Sequence, residues 1–141
     1  MKKYQRILVA IDIYSEYDHV LQRALSIATN KSHLHLVFVT LPSTYFQPYI
    51  SDVGGEYVAE IHKQAKLCLQ DIATKNHIPT KQVYLPIGNT ADEIHTLADE
   101  MHADLIVIGT HGRSGVKLLL GSTANSVLHG AKQDVLAVKM A

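Results

Sequence analysis

The sequence predicts an α/β protein: a five-stranded parallel sheet with helices on both faces, of Rossmann-like type. Three observations predict it. Short apolar runs alternate with stretches of helical periodicity in the order β-α-β-α-β-α-β-α-β. The runs are close to continuously apolar, as in Arg6 to Asp12 (RILVAID), which suits strands covered on two sides. Every connection is long enough to hold the helical crossover that joins parallel neighbours, and such crossovers are right-handed.

Composition narrows the function classes. At 141 residues, with 47% hydrophobic and 18% charged residues, the chain is expected to form one globular domain over 1–141. Lys and Arg together number 13, as do Asp and Glu, so formal charge cancels and a nucleic-acid partner is not expected. No apolar stretch reaches 18 residues and no leader pattern follows Met1, so the expectation is a cytoplasmic protein without a membrane anchor. Nine His residues are many, yet only His33 with His35, and His95 with His102, fall near one another. The spacing of His95, Asp99 and His102 is looser than metal sites use, and no metal site is expected. The lone Cys68 reads as a small buried hydrophobe on a helix stripe.

In chain order, Arg6 to Asp12 is the first strand, and Asp12 is its first polar side chain at the carboxyl end. Ligands of open parallel sheets bind beyond the carboxyl ends of strands, so Asp12 either meets a ligand or bonds the turn that follows. Ser15 is expected to cap a helix over about 16 to 29, because Val20, Leu21, Ala24, Leu25 and Ala28 recur at helical spacing. His33 to Thr40 is the second strand. Leu41 to Gly55 carries Pro42, Pro48, Gly54 and Gly55 and reads as a long loop, whose Tyr45, Phe46 and Tyr49 either fill a gap against the domain or cover a bound base.

Val58, Ile61, Ala65, Cys68 and Ile72 step by three and four through a helix from Glu56 to about Asn76. Gln82 to Ile87 is the third strand. Thr90 followed three residues later by Glu93 reads as a capping box ahead of Ile94, Leu97, Ala98 and Met101. Leu105 to Ile108 is the fourth strand, Ala124, Val127, Leu128 and Ala131 mark the last helix, and Val135 to Met140 is the fifth strand. That last strand is apolar with little to cover its outer edge, which invites a homodimer through Val135 to Met140.

The chemistry concentrates between the fourth strand and the last helix. Gly109 and Gly112 follow the strand and Gly121-Ser122 opens the helix. Free main-chain N–H groups at a helix start, with the helix dipole behind them, favour an anion such as phosphate. Glycines let a phosphate approach those amides, Ser122 can be the N-cap or bond a phosphate oxygen, and Arg113 or Lys117 can neutralise charge. An ordinary strand-to-helix connection would use the same residue types. A Walker A loop is excluded because no glycine at its spacing precedes Lys-Ser or Lys-Thr, and a dinucleotide fingerprint because Asp12 leads into IYSEYD. No Asp or Glu lies between Gly109 and Gly130, so efficient hydrolysis is not expected and His111 reads as a loop residue rather than a general base.

These stretches together resemble the universal stress protein (UspA) family over essentially the whole chain: RILVAID with Asp12, GNTADEI with Gly88, ADLIVIGTHGRSG, GSTANSVLHGA and DVLAVK. The resemblance implies a sheet of order 3-2-1-4-5 of the adenine nucleotide alpha hydrolase-like kind, a cytoplasmic homodimer active in stress response, and, in one branch, a site for ATP or AMP with or without Mg²⁺. In that branch nine residues separate the second glycine from the third, whereas here eight do, Arg113 to Leu120. Carried over position by position, Ala10 and Asp12 lie by the adenosine, Val39 contacts adenine, Ile108 and Gly109 hold base and ribose, and His111, Gly112, Arg113, Gly121, Ser122 and Thr123 follow the phosphates. The alternative is a nucleotide-free dimeric interaction protein whose glycine loop is structural; a specific protein partner is not named by the sequence.

Overall fold

The computed structural model describes residues 3–41, 54–110 and 121–140. Five parallel strands, β1 (Ile7–Ala10), β2 (Leu34–Val37), β3 (Val83–Tyr84), β4 (Leu105–Gly109) and β5 (Asp134–Val138), form one sheet in the order β3-β2-β1-β4-β5. The helices are α1 (Asp18–Ile27), α2 (Gly54–Lys75), α3 (Thr90–Glu100) and α4 (Ser122–Gly130). The expected order and element sequence therefore hold.

The apolar runs are continuous because successive side chains enter opposite cores. On one face Ile7, Val9 and Ile11 pack with Leu34, Leu36, Leu105 and Val107 against Val20, Leu21 and Ala24 of α1 and Leu69, Ile72 and Ala73 of α2. On the other, Leu8, Val37, Val39, Ile106 and Ile108 meet Ala91, Ile94 and Ala98 of α3 and Val127 of α4. Ile7, Leu8 and Val9 are fully buried, each burial contributing roughly 1.5–3 kcal/mol. Register is pinned at the amino ends, where both Asp104 carboxylate oxygens accept main-chain N–H groups of Gln5 and Arg6 at 2.8 and 3.0 Å.

Several local expectations change. Ser15 does not cap α1: its N–H and hydroxyl both donate to the Asp12 carbonyl at 3.0 Å, and the helix starts at Asp18 after Tyr17. The cap of α3 is Asn89, whose side chain accepts from Asp92 N–H at 3.0 Å, one residue earlier than a Thr90 to Glu93 box. Gly54 and Gly55 begin α2 rather than end a loop, and the aromatics Tyr45, Phe46 and Tyr49 lie outside the described residues. The third strand shrinks to two residues, with Ile87 held only by a bridge to Thr40 and its side chain exposed. Cys68 is exposed, not buried: the stripe that α2 turns inward is Ala65, Leu69, Ile72 and Ala73, so Cys68 sits beside the seam. Leu128, one of the residues that mark the last helix, is also exposed.

Helices α3 and α4 pack on each other, and the contact turns on His95. Its Nε2–H donates to the Val127 carbonyl at 2.9 Å, and a Cβ on Gly130 would overlap the imidazole ring. Helix propensity alone would favour alanine at 130 by about 1 kcal/mol. Because the ring is half-buried and hydrogen-bonded, Gly130→Ala is expected to lower the melting temperature instead. Adding His95→Ala should remove that specific penalty, seen as a non-additive double-mutant cycle.

The ring of His35 stacks on Tyr84, centroids 5.9 Å apart, with Nδ1 3.1 Å from the Tyr84 hydroxyl. Burial, and secondarily the charge of Arg6, hold its pKa below the usual 6.5. The unfolded chain thus binds this proton more readily than the folded one, so His35's contribution to stability is complete above 6.5 and declines as pH falls below it. Denaturant titrations at pH 7.5 and 5.5 should show a smaller drop for His35→Gln than for the parent.

Candidate functional site

The carboxyl ends of β1, β2 and β4 do not stop together. The last bond from the β1 side to β2 is Ile11 N–H to the Val37 carbonyl, 2.9 Å. The chain then turns: the Asp12 carbonyl holds Ser15, and Asp12 Oδ1 accepts Tyr14 N–H at 3.0 Å. Beside it the second strand continues, bonding the β3 side through Phe38 N–H to the Tyr84 carbonyl (3.1 Å), Thr40 N–H to the Pro86 carbonyl (3.0 Å) and Gly88 N–H to the Thr40 carbonyl (2.9 Å).

Main-chain groups of an extended strand alternate sides. With Phe38 and Thr40 directed at β3, Val39 directs its N–H and C=O to the side β1 has left. Neither makes a hydrogen bond with a described residue. The Val39 side chain is buried with Ile108 in the α3 and α4 core, so what this residue can offer a ligand is its main chain. Unpaired strand donors and acceptors in a partly covered place favour a ligand carrying the complementary pattern.

On the other flank, β4 ends at Gly109, where a Cβ would stand 2.9 Å from Met140 Sδ and 3.2 Å from Val20 Cγ2. Packing within the chain thus already favours a residue without a side chain at 109. Thr110 then ties three segments: its N–H donates to the Val138 carbonyl (2.9 Å), its carbonyl accepts Gly121 N–H (2.7 Å), and its hydroxyl oxygen accepts Met140 N–H (3.2 Å). The bond from Gly121 delivers the start of α4 to the end of β4. Gly121, extended at φ −63° and ψ 156°, is the N-cap, so Ser122 is not. Ser122 and Thr123 are exposed in the first turn, where the N–H groups of Ser122, Thr123 and Ala124 have no intrahelical acceptor.

Of the residues singled out from sequence, Ala10, Asp12, Val39, Ile108, Gly109, Gly121, Ser122 and Thr123 lie at these strand ends and this helix start. His111, Gly112 and Arg113, like Lys117, fall outside the described residues. Asp12 spends Oδ1 on its own turn and keeps Oδ2 without a described partner. Sequence reasoning missed the Thr40 side chain, whose hydroxyl lies 3.3 Å from His62 Nδ1, and Tyr14, exposed and edge-on to Phe38 at 5.8 Å. Neither pair has a spacing that signals it.

A separate open groove of about 720 Å³ lies at the opposite, amino edge of the sheet, beside Lys3, Tyr4, His102 and Asp104. Its polar groups serve the fold: Tyr4 donates to Asp134 at 2.7 Å, Asp104 holds β1, and Asp99 accepts from Gln133 at 2.8 Å beside Lys132. It is a polar seam within the fold. Among the described residues no three His, Cys, Asp or Glu side chains group as metal ligands.

A parallel sheet in this order with an opened strand end defines an α/β protein of the adenine nucleotide alpha hydrolase-like fold. The chain belongs to the universal stress protein family, whose family model matches residues 3–139. It is 36% identical over 143 aligned residues to universal stress protein A homolog 2 of Coxiella burnetii, covering 99% of this chain and 98% of that protein. The solved structure of the protein MJ0577 superimposes with a TM-score of 0.82 at 21% identity, over 99% of both chains. A universal stress protein solved in complex with cAMP matches with a TM-score of 0.57 at 26% identity, over 97% of this chain and 98% of that one.

Proposed function

We propose that this chain binds an adenine nucleotide, ATP or AMP, at the carboxyl edge of its sheet, and that occupancy regulates a cytoplasmic homodimer in stress response. The observation that carries the reading is the N–H and C=O of Val39, which no described residue pairs. Adenine presents an acceptor, N1, beside a donor, the 6-amino group, and this edge complements one strand residue's N–H and C=O. Hypoxanthine and guanine place an oxygen where the amino group would be, opposing acceptor to acceptor and leaving buried groups unpaired. The relative solved with cAMP carries an adenine ring, which supports the same choice of base.

From Val39 the ligand would run across the gap that β1 leaves. Asp12 Oδ2 is available to accept ribose hydroxyls, with the Ala10, Ile108 and Gly109 main chain beneath. The first-turn amides and hydroxyls of Ser122 and Thr123 would take the phosphates at the positive end of α4, together with His111, Gly112 and Arg113 of the connection. A triphosphate would bring Mg²⁺ as its counter-ion. Asp12 is the one carboxylate among these residues, and Oδ1 is committed to its turn, so the reading is binding rather than turnover. A nucleotide-free interaction protein is the second reading, favoured by Gly109, whose missing Cβ is accounted for by Met140 and Val20 alone.

The two separate on what co-purifies. Adenylate released from the denatured protein, resolved by anion exchange, is expected under the first reading, and its absence supports the second. Because Gly121 has ordinary extended dihedrals, Gly121→Val can fold without backbone strain, yet its branched side chain would crowd the phosphates. The variant is expected to melt within a few degrees of the parent while losing at least about tenfold in adenylate affinity by calorimetry, the weight of a single crowded phosphate contact. Equal affinity would remove Gly121 from the site.

The homodimer is argued from β5, which pairs with β4 alone among the described strands. Thr110 N–H reaches the Val138 carbonyl, so Val138, Leu136 and Asp134 bond inward while Val135 and Ala137 direct their main-chain groups outward. Ala137→Pro deletes an outward N–H and leaves the β4 ladder whole. Sedimentation should show a dimer for the parent and a monomer for this variant, both folded.

A further inference from the structure

We propose that His62, on α2, sets how selectively the chain reads an adenine base, by holding the peptide that Val39 presents to the cleft. The inference rests on the adenine nucleotide reading above and concerns a residue outside the strand ends and helix start that make up the proposed site. His62 is a positioning residue that acts through Thr40.

The geometry points this way for a reason of peptide planarity. The Val39 carbonyl and the Thr40 N–H belong to one rigid plane and point in opposite directions. Whatever fixes Thr40 toward β3 therefore fixes the Val39 acceptor toward the cleft. Thr40 is fixed by its N–H on the Pro86 carbonyl (3.0 Å) and by its carbonyl receiving Gly88 N–H (2.9 Å). Its hydroxyl adds a bond to the same Pro86 carbonyl at 3.5 Å and lies 3.3 Å from His62 Nδ1. With the hydroxyl proton directed at Pro86, the oxygen accepts from His62, which assigns the hydrogen to Nδ1 of the ring.

This contact joins α2 to the end of the second strand, beyond the point where the sheet ladder stops. Thr40 is outside β2 and tied to Ile87 by an isolated bridge, so the sheet alone secures it weakly. The imidazole supplies the missing side of the clamp. Hydrogen bonds to a ligand lose strength steeply with misalignment, so a clamp of this kind acts on discrimination between bases more than on attraction of the phosphates.

The test compares AMP, IMP and inorganic tripolyphosphate by calorimetry on the full chain. In the parent, AMP should bind more tightly than IMP. In His62→Ala the AMP to IMP ratio is expected to fall roughly three- to tenfold, the span of one hydrogen bond, while tripolyphosphate affinity stays at the parental value. His62→Asn, which returns a donor near Nδ1, should restore most of the ratio. Thr40→Val, nearly isosteric and independent of α2 packing, should reproduce the loss. An unchanged ratio in both His62→Ala and Thr40→Val, or an equal loss for AMP and tripolyphosphate, would overturn the positioning role. A parent chain that binds neither AMP nor IMP would instead remove the reading on which it rests, and the inference with it.

Discussion

The candidate site exists because β1 turns aside before its neighbour on the β2 side does. In a parallel sheet every strand delivers its carboxyl end to one edge, and a fully paired edge would have nothing to offer a ligand. Here Asp12 folds the chain back, using its carbonyl for Ser15 and one carboxylate oxygen for Tyr14. The second strand continues to Thr40 through main-chain bonds to its β3 side. Val39 is left with a main-chain donor and acceptor facing the space vacated, and the hydrophobic burial of its side chain holds it there. A buried hydrocarbon thus keeps a polar backbone edge in place, and in the proposed site the same residue would serve stability and recognition through different atoms.

The far flank is built by a different device. Thr110 bonds Val138, Gly121 and Met140, so the end of β4, the start of α4 and the end of the chain after β5 share one residue. The N-terminus of α4 is therefore tied to the sheet through Thr110. Helix α4 is braced from behind by His95, which reaches across from α3 to the Val127 carbonyl. Each boundary of the cleft is secured by a side chain that does not itself face it.

Sheet order, helix sequence and the two-sided core were legible because continuous apolar runs and helical stripes report burial directly, and because motifs such as RILVAID and GSTANSVLHGA carried a family resemblance. What was not legible depended on rotation by one residue. Cys68 and Leu69 are adjacent, and a helix turns about 100° per residue, so a small error of phase moves one into solvent and the other into the core. The cap of α3 slid from Thr90 to Asn89 because both residue types can cap, and only the Asn89 side chain meets the Asp92 N–H. The strand-end positions Asp12, Val39, Ile108, Gly109 and Gly121 could be named from sequence. The Val39 peptide that no described residue pairs, and the contact of Thr40 with His62, could not, since main-chain pairing and a contact between residues 40 and 62 leave no imprint in spacing.

The outward turn of Cys68 also has a practical consequence. It is the chain's one thiol, carried on a helix that packs on the same sheet face as α1, and it stands clear of the core. A maleimide dye or spin label placed there would attach once per molecule without disturbing the buried seam formed by Leu69 and Ile72. In the proposed dimer, distances between two such labels would then report whether the second helices approach or separate as adenylate is added.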